Sequence, residues 1–293
     1  MAERHSIGSS SREGFEAVEL RSSELAAAFV PRLNMIGCSL EYHGEELLGL
    51  RGGLSAYAER GSSMGIPLLH PWANRLDAEL AGHDVKRDAN GLPIHGLLTA
   101  HPGWAVTGSA ADSGFASVQA RFGFTDEAML AGFPYLHELR VEARVEDARL
   151  SLATTLTATG DVPVPVAFGW HPYLALPGPG ARFELPVGRR ARLDDRGIPT
   201  GAYTEPAEQA EYDDLYTDIE GDFVLEGGGR RVRVRFEEGY PWAQVYAPAG
   251  AGFVCFEPMT APTNALVSRD SLPDVAPGKS YSARFSISVE ASS

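Results

Sequence analysis

Strict alternation of apolar and charged residues, repeated in separate parts of the chain, limits what this sequence can fold into more than any other feature. In residues 139–145, Leu139, Val141, Ala143 and Val145 alternate with Arg140, Glu142 and Arg144. Successive side chains of an extended strand point to opposite faces, so a period of two puts one face in a core and the other in water. Val232, Val234 and Phe236 alternate with Arg231, Arg233 and Arg235 in the same way, and Tyr281, Ala283, Phe285, Ile287 and Val289 repeat the pattern late in the chain. Half-buried strands of this kind belong to antiparallel sheets. Residues 117–124 and 151–159 carry weaker forms of the signal, and 252–256 is a short apolar run suited to a strand covered on both faces. Helix signals are few: 55–60 and 126–130 each suffice for a turn or two, and Pro134 limits the second.

Glycine and proline separate these segments, as in Pro177-Gly178-Pro179-Gly180 and Gly227-Gly228-Gly229. Many short strands with turn residues between them, and no long internal repeat, predict an all-β fold, a large antiparallel β-sandwich, rather than βαβ units. The 293 residues suit such a fold undivided, because sandwiches often run past about 200 residues as one domain. With no linker-like shift of composition in the interior, residues 13–293 are expected to form a single domain. Residues 1–12, rich in serine and charge, are expected to be a loose end.

Charge narrows the partners. With 25 Lys plus Arg against 39 Asp plus Glu, the net charge is −14, which opposes nucleic acid and anionic membrane surfaces as partners. The chain has no run near the roughly 18 apolar residues of a membrane span and no apolar segment of a signal peptide at its start, so a cytoplasmic location is expected. Cys38 and Cys255 cannot make a disulfide framework, and Cys255 lies in the run Phe253-Val254-Cys255-Phe256, where a thiol acts as a small hydrophobe.

Several apparent motifs carry little chemistry. Gly61-Ser62-Ser63-Met64-Gly65 has the G-x-S-x-G spacing of a nucleophile elbow, but Ile66-Pro67 follows where the elbow needs a helix. Gly227-Gly228-Gly229 reads as a hairpin turn between Phe223-Val224-Leu225 and the strand at Arg231. The eight histidines form no zinc-binding spacing, so no metal is expected. The pairs Asp194-Asp195 and Asp213-Asp214 read as solvated turns.

Three segments instead interrupt apolar, proline-bounded stretches with polar groups. Residues 65–76, GIPLLHPWANRL, bring Trp72, Asn74 and Arg75 together, an indole face, an amide and a guanidinium suited to a ligand with C–H faces and hydroxyl edges. A surface Arg beside a packed Trp accounts for the same residues. Residues 168–173, FGWHPY, place His171 between aromatics. Residues 254–260, VCFEPMT, end an apolar strand on Glu257, where a carboxylate is costly unless paired or used and where desolvation raises its proton affinity.

At these residues the chain resembles the aldose 1-epimerase, or galactose mutarotase, family. The resemblance rests on an ordered set: GIPLLHPWANRL, His95-Gly96, Phe133-Pro134, GWHPY, YDDLY and FEPMTAPTNAL. It implies a β-sandwich of the galactose mutarotase type, a small-molecule sugar as substrate and no cofactor. Carried over residue by residue, it implies His171 as general acid, Glu257 as general base, and Arg75, His95 and Asp213 as ligands of sugar hydroxyls, with Asn74 and Trp72 beside them. Asp214 is one register step from Asp213 and would point the other way in a strand. Leu97 and Leu174 stand where the family commonly has Gly and Phe. The activity so implied is interconversion of α and β anomers of a free aldohexose, with His171 as imidazolium and Glu257 as carboxylate. Two other readings share the fold: a hexose-6-phosphate epimerase, which needs a cationic phosphate pocket, and a carbohydrate-binding protein without turnover.

Overall fold

The computed structural model describes residues 5–80 and 85–292. Among the described residues, two eight-stranded antiparallel sheets, one five-stranded sheet and a two-stranded pairing of Val164–Pro165 with Asp274–Val275 make up the fold. The first large sheet runs, in spatial order, Arg182–Glu184, Asp222–Gly227, Arg230–Glu238, Ser280–Ala291, Arg149–Ala158, His137–Glu146, Ala116–Phe124, Ala105–Ala111. The second runs Pro199–Thr204, Val187–Leu193, Tyr212–Ile219, Trp242–Ala247, Phe253–Met259, Gly169–Trp170, Leu68–Leu69, with Tyr173–Ala175 also paired to Phe253–Met259. One apolar core takes Val141, Leu152 and Phe285 from the first sheet, Tyr216, Val245 and Phe256 from the second, and Leu20, Phe29 and Leu40 from the five-stranded sheet.

The alternating segments are strands for the reason their pattern gives. Leu139, Val141, Ala143 and Val145 are fully buried, and their charged neighbours are not. Arg231, Arg233 and Arg235 line the outer face of their strand, where they pair with Glu226, Glu290 and Asp222 at 2.8, 2.7 and 2.6 Å. The run at 252–256 forms the strand Phe253–Met259, all of it buried. The expected short helices are Gly53–Arg60 and Glu127–Gly132, the second capped by the Asp126 carboxylate, which accepts from Ala128 N at 2.8 Å. Gly228 and Gly229, with φ of 56° and 75°, make the two-residue turn before Arg230–Glu238, a conformation that only glycine adopts without strain.

Two expectations are corrected. Residues 1–12 are not a loose end throughout: Ser6–Arg12 is a strand, paired along its whole length with Phe15–Arg21, and only residues 1–4 of that stretch lie outside the described residues. Its serines leave both faces partly wet, so the strand has no apolar alternation to reveal it, while the next residue, Glu13, accepts from Leu54 N and Ser55 N at 3.0 Å each and ties this end to a helix start. Asp213-Asp214 is not a turn but part of the strand Tyr212–Ile219. Asp194 is in a turn, as expected, accepting from Arg196 N and Ile198 N.

Candidate active site

Strand pairing in the second sheet assembles the polar cluster. Glu257, on Phe253–Met259, lies opposite Gln244, and Asp213, on Tyr212–Ile219, lies opposite Tyr246. Gln244 Nε2 donates to Asp213 Oδ1 at 2.7 Å, from the strand that lies between the two acidic ones. Asp213 Oδ2 also accepts from Arg75 Nη2 at 2.7 Å, and Arg75 Nε donates to Asp88 at 2.8 Å. Two carboxylates thus hold the guanidinium by two edges. Asp214 points to the opposite side of the strand, to Arg190 and Gln209.

His171 follows Gly169–Trp170, and its Nε2 stands 3.2 Å from Glu257 Oε1. Its ring lies flat on Tyr173, centroids 4.3 Å apart, and the edge of His95 meets it at 5.2 Å. The Tyr173 hydroxyl is 3.3 Å from the same Nε2. His95, at φ 67°, is held by its N–H donating to Asn74 O at 3.0 Å, and Asn74 Oδ1 in turn accepts from Arg75 N at 2.8 Å. His171, Glu257, His95, Asn74, Arg75 and Asp213 are therefore one connected cluster. Trp72 is different: it is buried against Leu76, Ala167, Ala261 and Ala265, the packing alternative.

Burial sets the electrostatics. Both His171 and Glu257 are almost wholly inaccessible. Desolvation raises the Glu257 carboxyl well above the usual range, helped by the negative charge of Asp213. Desolvation also holds the His171 imidazole well below its ordinary value, and Lys86 and Arg51 push the same way. Burial therefore favours the neutral forms of both partners over the expected imidazolium and carboxylate, because two charges without water cost more than two neutral partners in contact. His95 is likewise held neutral by burial and by its cationic surroundings.

Other groups reach the cluster through contacts that no local motif announces. Lys86 Nζ donates to Ser63 Oγ at 2.8 Å, and Arg51 Nη1 donates to Ser63 O at 3.3 Å and to the Tyr173 hydroxyl at 3.4 Å. Burial and the nearby Arg51 pull Lys86 down to about 8. Ser63, the hydroxyl of the G-x-S-x-G spacing, follows a helix rather than a strand and serves as the acceptor of Lys86. Among the described residues no group of three or more His, Cys, Asp or Glu side chains could hold a metal ion, and no helix is long and apolar enough to cross a membrane. A cavity of about 600 Å³ lies elsewhere, along Arg182–Glu184 and residues 206–210, and contains none of these groups.

Comparison with known proteins bears on the family and the fold. The family model described as aldose 1-epimerase matches residues 39–288. Among solved structures, a galactose mutarotase-like protein from Clostridium acetobutylicum is 18% identical, with a TM-score of 0.86 over 98% of this chain and 99% of that one. A galactose 1-epimerase from Lactobacillus acidophilus NCFM is 13% identical, with a TM-score of 0.78 over 100% of both chains. A protein from Synechocystis sp. PCC 6803 is 23% identical, with a TM-score of 0.77 over 94% of this chain and 96% of that one. These likenesses show the expected all-β, galactose mutarotase-type sandwich. No curated protein matches.

Proposed function

The chain belongs to the aldose 1-epimerase family, and on that premise we propose that it interconverts the α and β anomers of a free aldohexose by acid–base opening and closing of the ring. The observation that carries this reading is the buried contact of His171 Nε2 with Glu257 Oε1 at 3.2 Å, one acid and one base with a single proton between them. Glu257 takes the proton of the C1 hydroxyl while His171 gives its proton to the ring oxygen; the C1–ring oxygen bond breaks and a carbonyl forms at C1. Rotation about C1–C2 and reversal of both transfers closes the ring on the other face. Ring opening moves the pair from imidazolium and carboxylate to two neutral groups, so the step starts from the form that burial disfavours, and polar contacts of the bound sugar must bring the shared proton to His171 first. Arg75, His95 and Asp213 would hold the hydroxyls and retain the open aldehyde in place, with Asn74 orienting Arg75.

A second reading has its own support. Arg51 and Lys86 both bind Ser63, and neither is paired with a carboxylate among the described residues. Two cations beside Tyr173 and His171 in a chain of net charge −14 favour an aldose with an anionic substituent, as in a hexose 6-phosphate. By contrast, the arginines of Arg230–Glu238 are already neutralised by acidic partners on the sheet surface.

Polarimetry on freshly dissolved α-D-glucose, α-D-galactose and glucose 6-phosphate, with the wild-type protein and Glu257→Gln, tests both. Acceleration of a free sugar, lost in the variant, is the expected result; acceleration of the phosphosugar alone selects the second reading. A folded wild-type protein that accelerates none of the three sinks both.

A further inference from the structure

The segment that carries Asn74 and Arg75 is also fastened from behind. His70 and His137 are almost completely buried, and their Nε2 atoms are 2.7 Å apart. His137 opens the strand His137–Glu146 of the first large sheet, whereas His70 directly follows the strand Leu68–Leu69 of the second, so their contact crosses the core between the sheets. The walls around it are apolar: Phe124 stacks on His137 at 4.5 Å, and Phe133 and Phe168 lie against His70. His137 Nδ1 is 2.7 Å from the carbonyl oxygen of Tyr135. A carbonyl only accepts, so His137 must donate from Nδ1; in a neutral imidazole Nε2 is then the acceptor, and His70 must donate from its own Nε2. Burial holds both rings neutral, His137 down to about 4 and His70 well below its ordinary value.

The main chain of His70 passes this anchorage to the ligand groups. Its carbonyl accepts from Leu97 N at 2.7 Å and Leu98 N at 3.2 Å. Gly96, at φ 77°, lies so close that a Cβ there would stand 2.1 Å from that same oxygen. The loop presenting His95 is therefore clipped to His70 on one side and to Asn74 on the other.

We propose that His70 and His137 form a buried imidazole–imidazole hydrogen bond of fixed tautomers that positions the segment 70–75 and the loop 95–98, and through them Arg75 and His95, against the sugar. They are positioning residues and touch no substrate. A slackened anchor displaces hydroxyl ligands rather than the acid–base pair, and loss of contacts made alike in ground and transition states raises KM with kcat kept. This rests on the reading of the site as a mutarotase.

The first test needs no activity: nitrogen-15 imidazole spectra of the full chain should show His137 protonated on Nδ1, His70 on Nε2, and a scalar coupling between the two Nε2 nitrogens. Absence of the coupling, or the opposite tautomers, overturns the proposal. In mutarotation kinetics His137→Leu should raise KM at least about tenfold with kcat kept within about threefold. His137→Gln, whose side-chain oxygen can accept from His70 in place of Nε2, should recover most of that loss. An unchanged KM in His137→Leu, or a fall in kcat at constant KM, overturns the positioning role; a purely structural contact would lower Tm and leave KM alone. Should the leucine variant fail to fold, His70→Phe combined with His137→Leu removes donor and acceptor together and carries the same KM prediction. A wild-type protein inactive on every sugar overturns the reading of the site, whereas a missing coupling in an active protein overturns the dyad alone.

Discussion

Two strands of this molecule carry charge in opposite ways. Arg230–Glu238 displays Arg231, Arg233 and Arg235 on a water-facing surface, each with an acidic partner, in a pattern that repeats every second residue. Phe253–Met259 carries a single carboxylate, Glu257, in a strand buried at every position and met by one imidazole. Water solvates the first set whatever its partners do, so those pairs contribute little to stability. The second set has no such refuge; its cost is retained in the folded state as shifted proton affinities, which is what acid–base chemistry needs.

The contrast breaks first at Glu257. Glu257→Gln should slow mutarotation by about 10²–10⁴-fold, the usual contribution of a positioned proton carrier, and His171→Asn comparably; a glutamine variant at the wild-type rate removes the pair from the mechanism. Arg75→Ala comes next, raising KM by about 10- to 100-fold for the loss of charged hydrogen bonds with a smaller change in kcat, as steady-state kinetics would show. Acidity sharpens the comparison further. With Glu257 raised and His171 lowered, the pair keeps its single proton over a wide range. The pH–rate profile should therefore have a broad plateau through neutrality, falling at low pH where a second proton adds and at high pH where the first leaves. A raised carboxyl gives stability that is fully present below its unfolded value and lost as pH rises through the folded one. Glu257→Gln should therefore gain in Tm over the wild type as pH rises from about 4, and calorimetry showing a constant or shrinking difference would contradict the buried-acid assignment. The smallest effect belongs to the outer strand: Arg233→Ser should move Tm by less than about 2 °C and leave activity unchanged.

The same contrast explains what could be read from residues alone. Strands such as His137–Glu146 are legible because one face is buried and the other wet, and that difference is written at every second position. Ser6–Arg12 and Ala105–Ala111, wet on both faces for much of their length, have no such contrast. Glu257, His171, His95 and Arg75 could be picked out because each breaks an apolar stretch or carries a family motif. Their neighbours could not. Gln244 faces Glu257 only through strand register, Lys86 and Arg51 converge on Ser63 from different parts of the chain, and His137 meets His70 across the core. Such meetings are products of long-range pairing, and neither composition nor spacing encodes them locally. The choice between Asp213 and Asp214 likewise waited on register, since neighbouring residues of a strand face opposite ways.

The strand Ser280–Ala291 lies in the interior of the first large sheet, between Arg230–Glu238 and Arg149–Ala158. During synthesis those two flanking strands leave the ribosome before it and must wait with unpaired edges facing each other. The sheet is therefore closed only once Ser280–Ala291 has been made, and until then the nascent chain exposes two open β edges that can recruit a stranger's strand. Expression at high rate, or a variant without Ser280–Ala291, should favour aggregation over the folded sandwich, a liability of timing as well as of final stability.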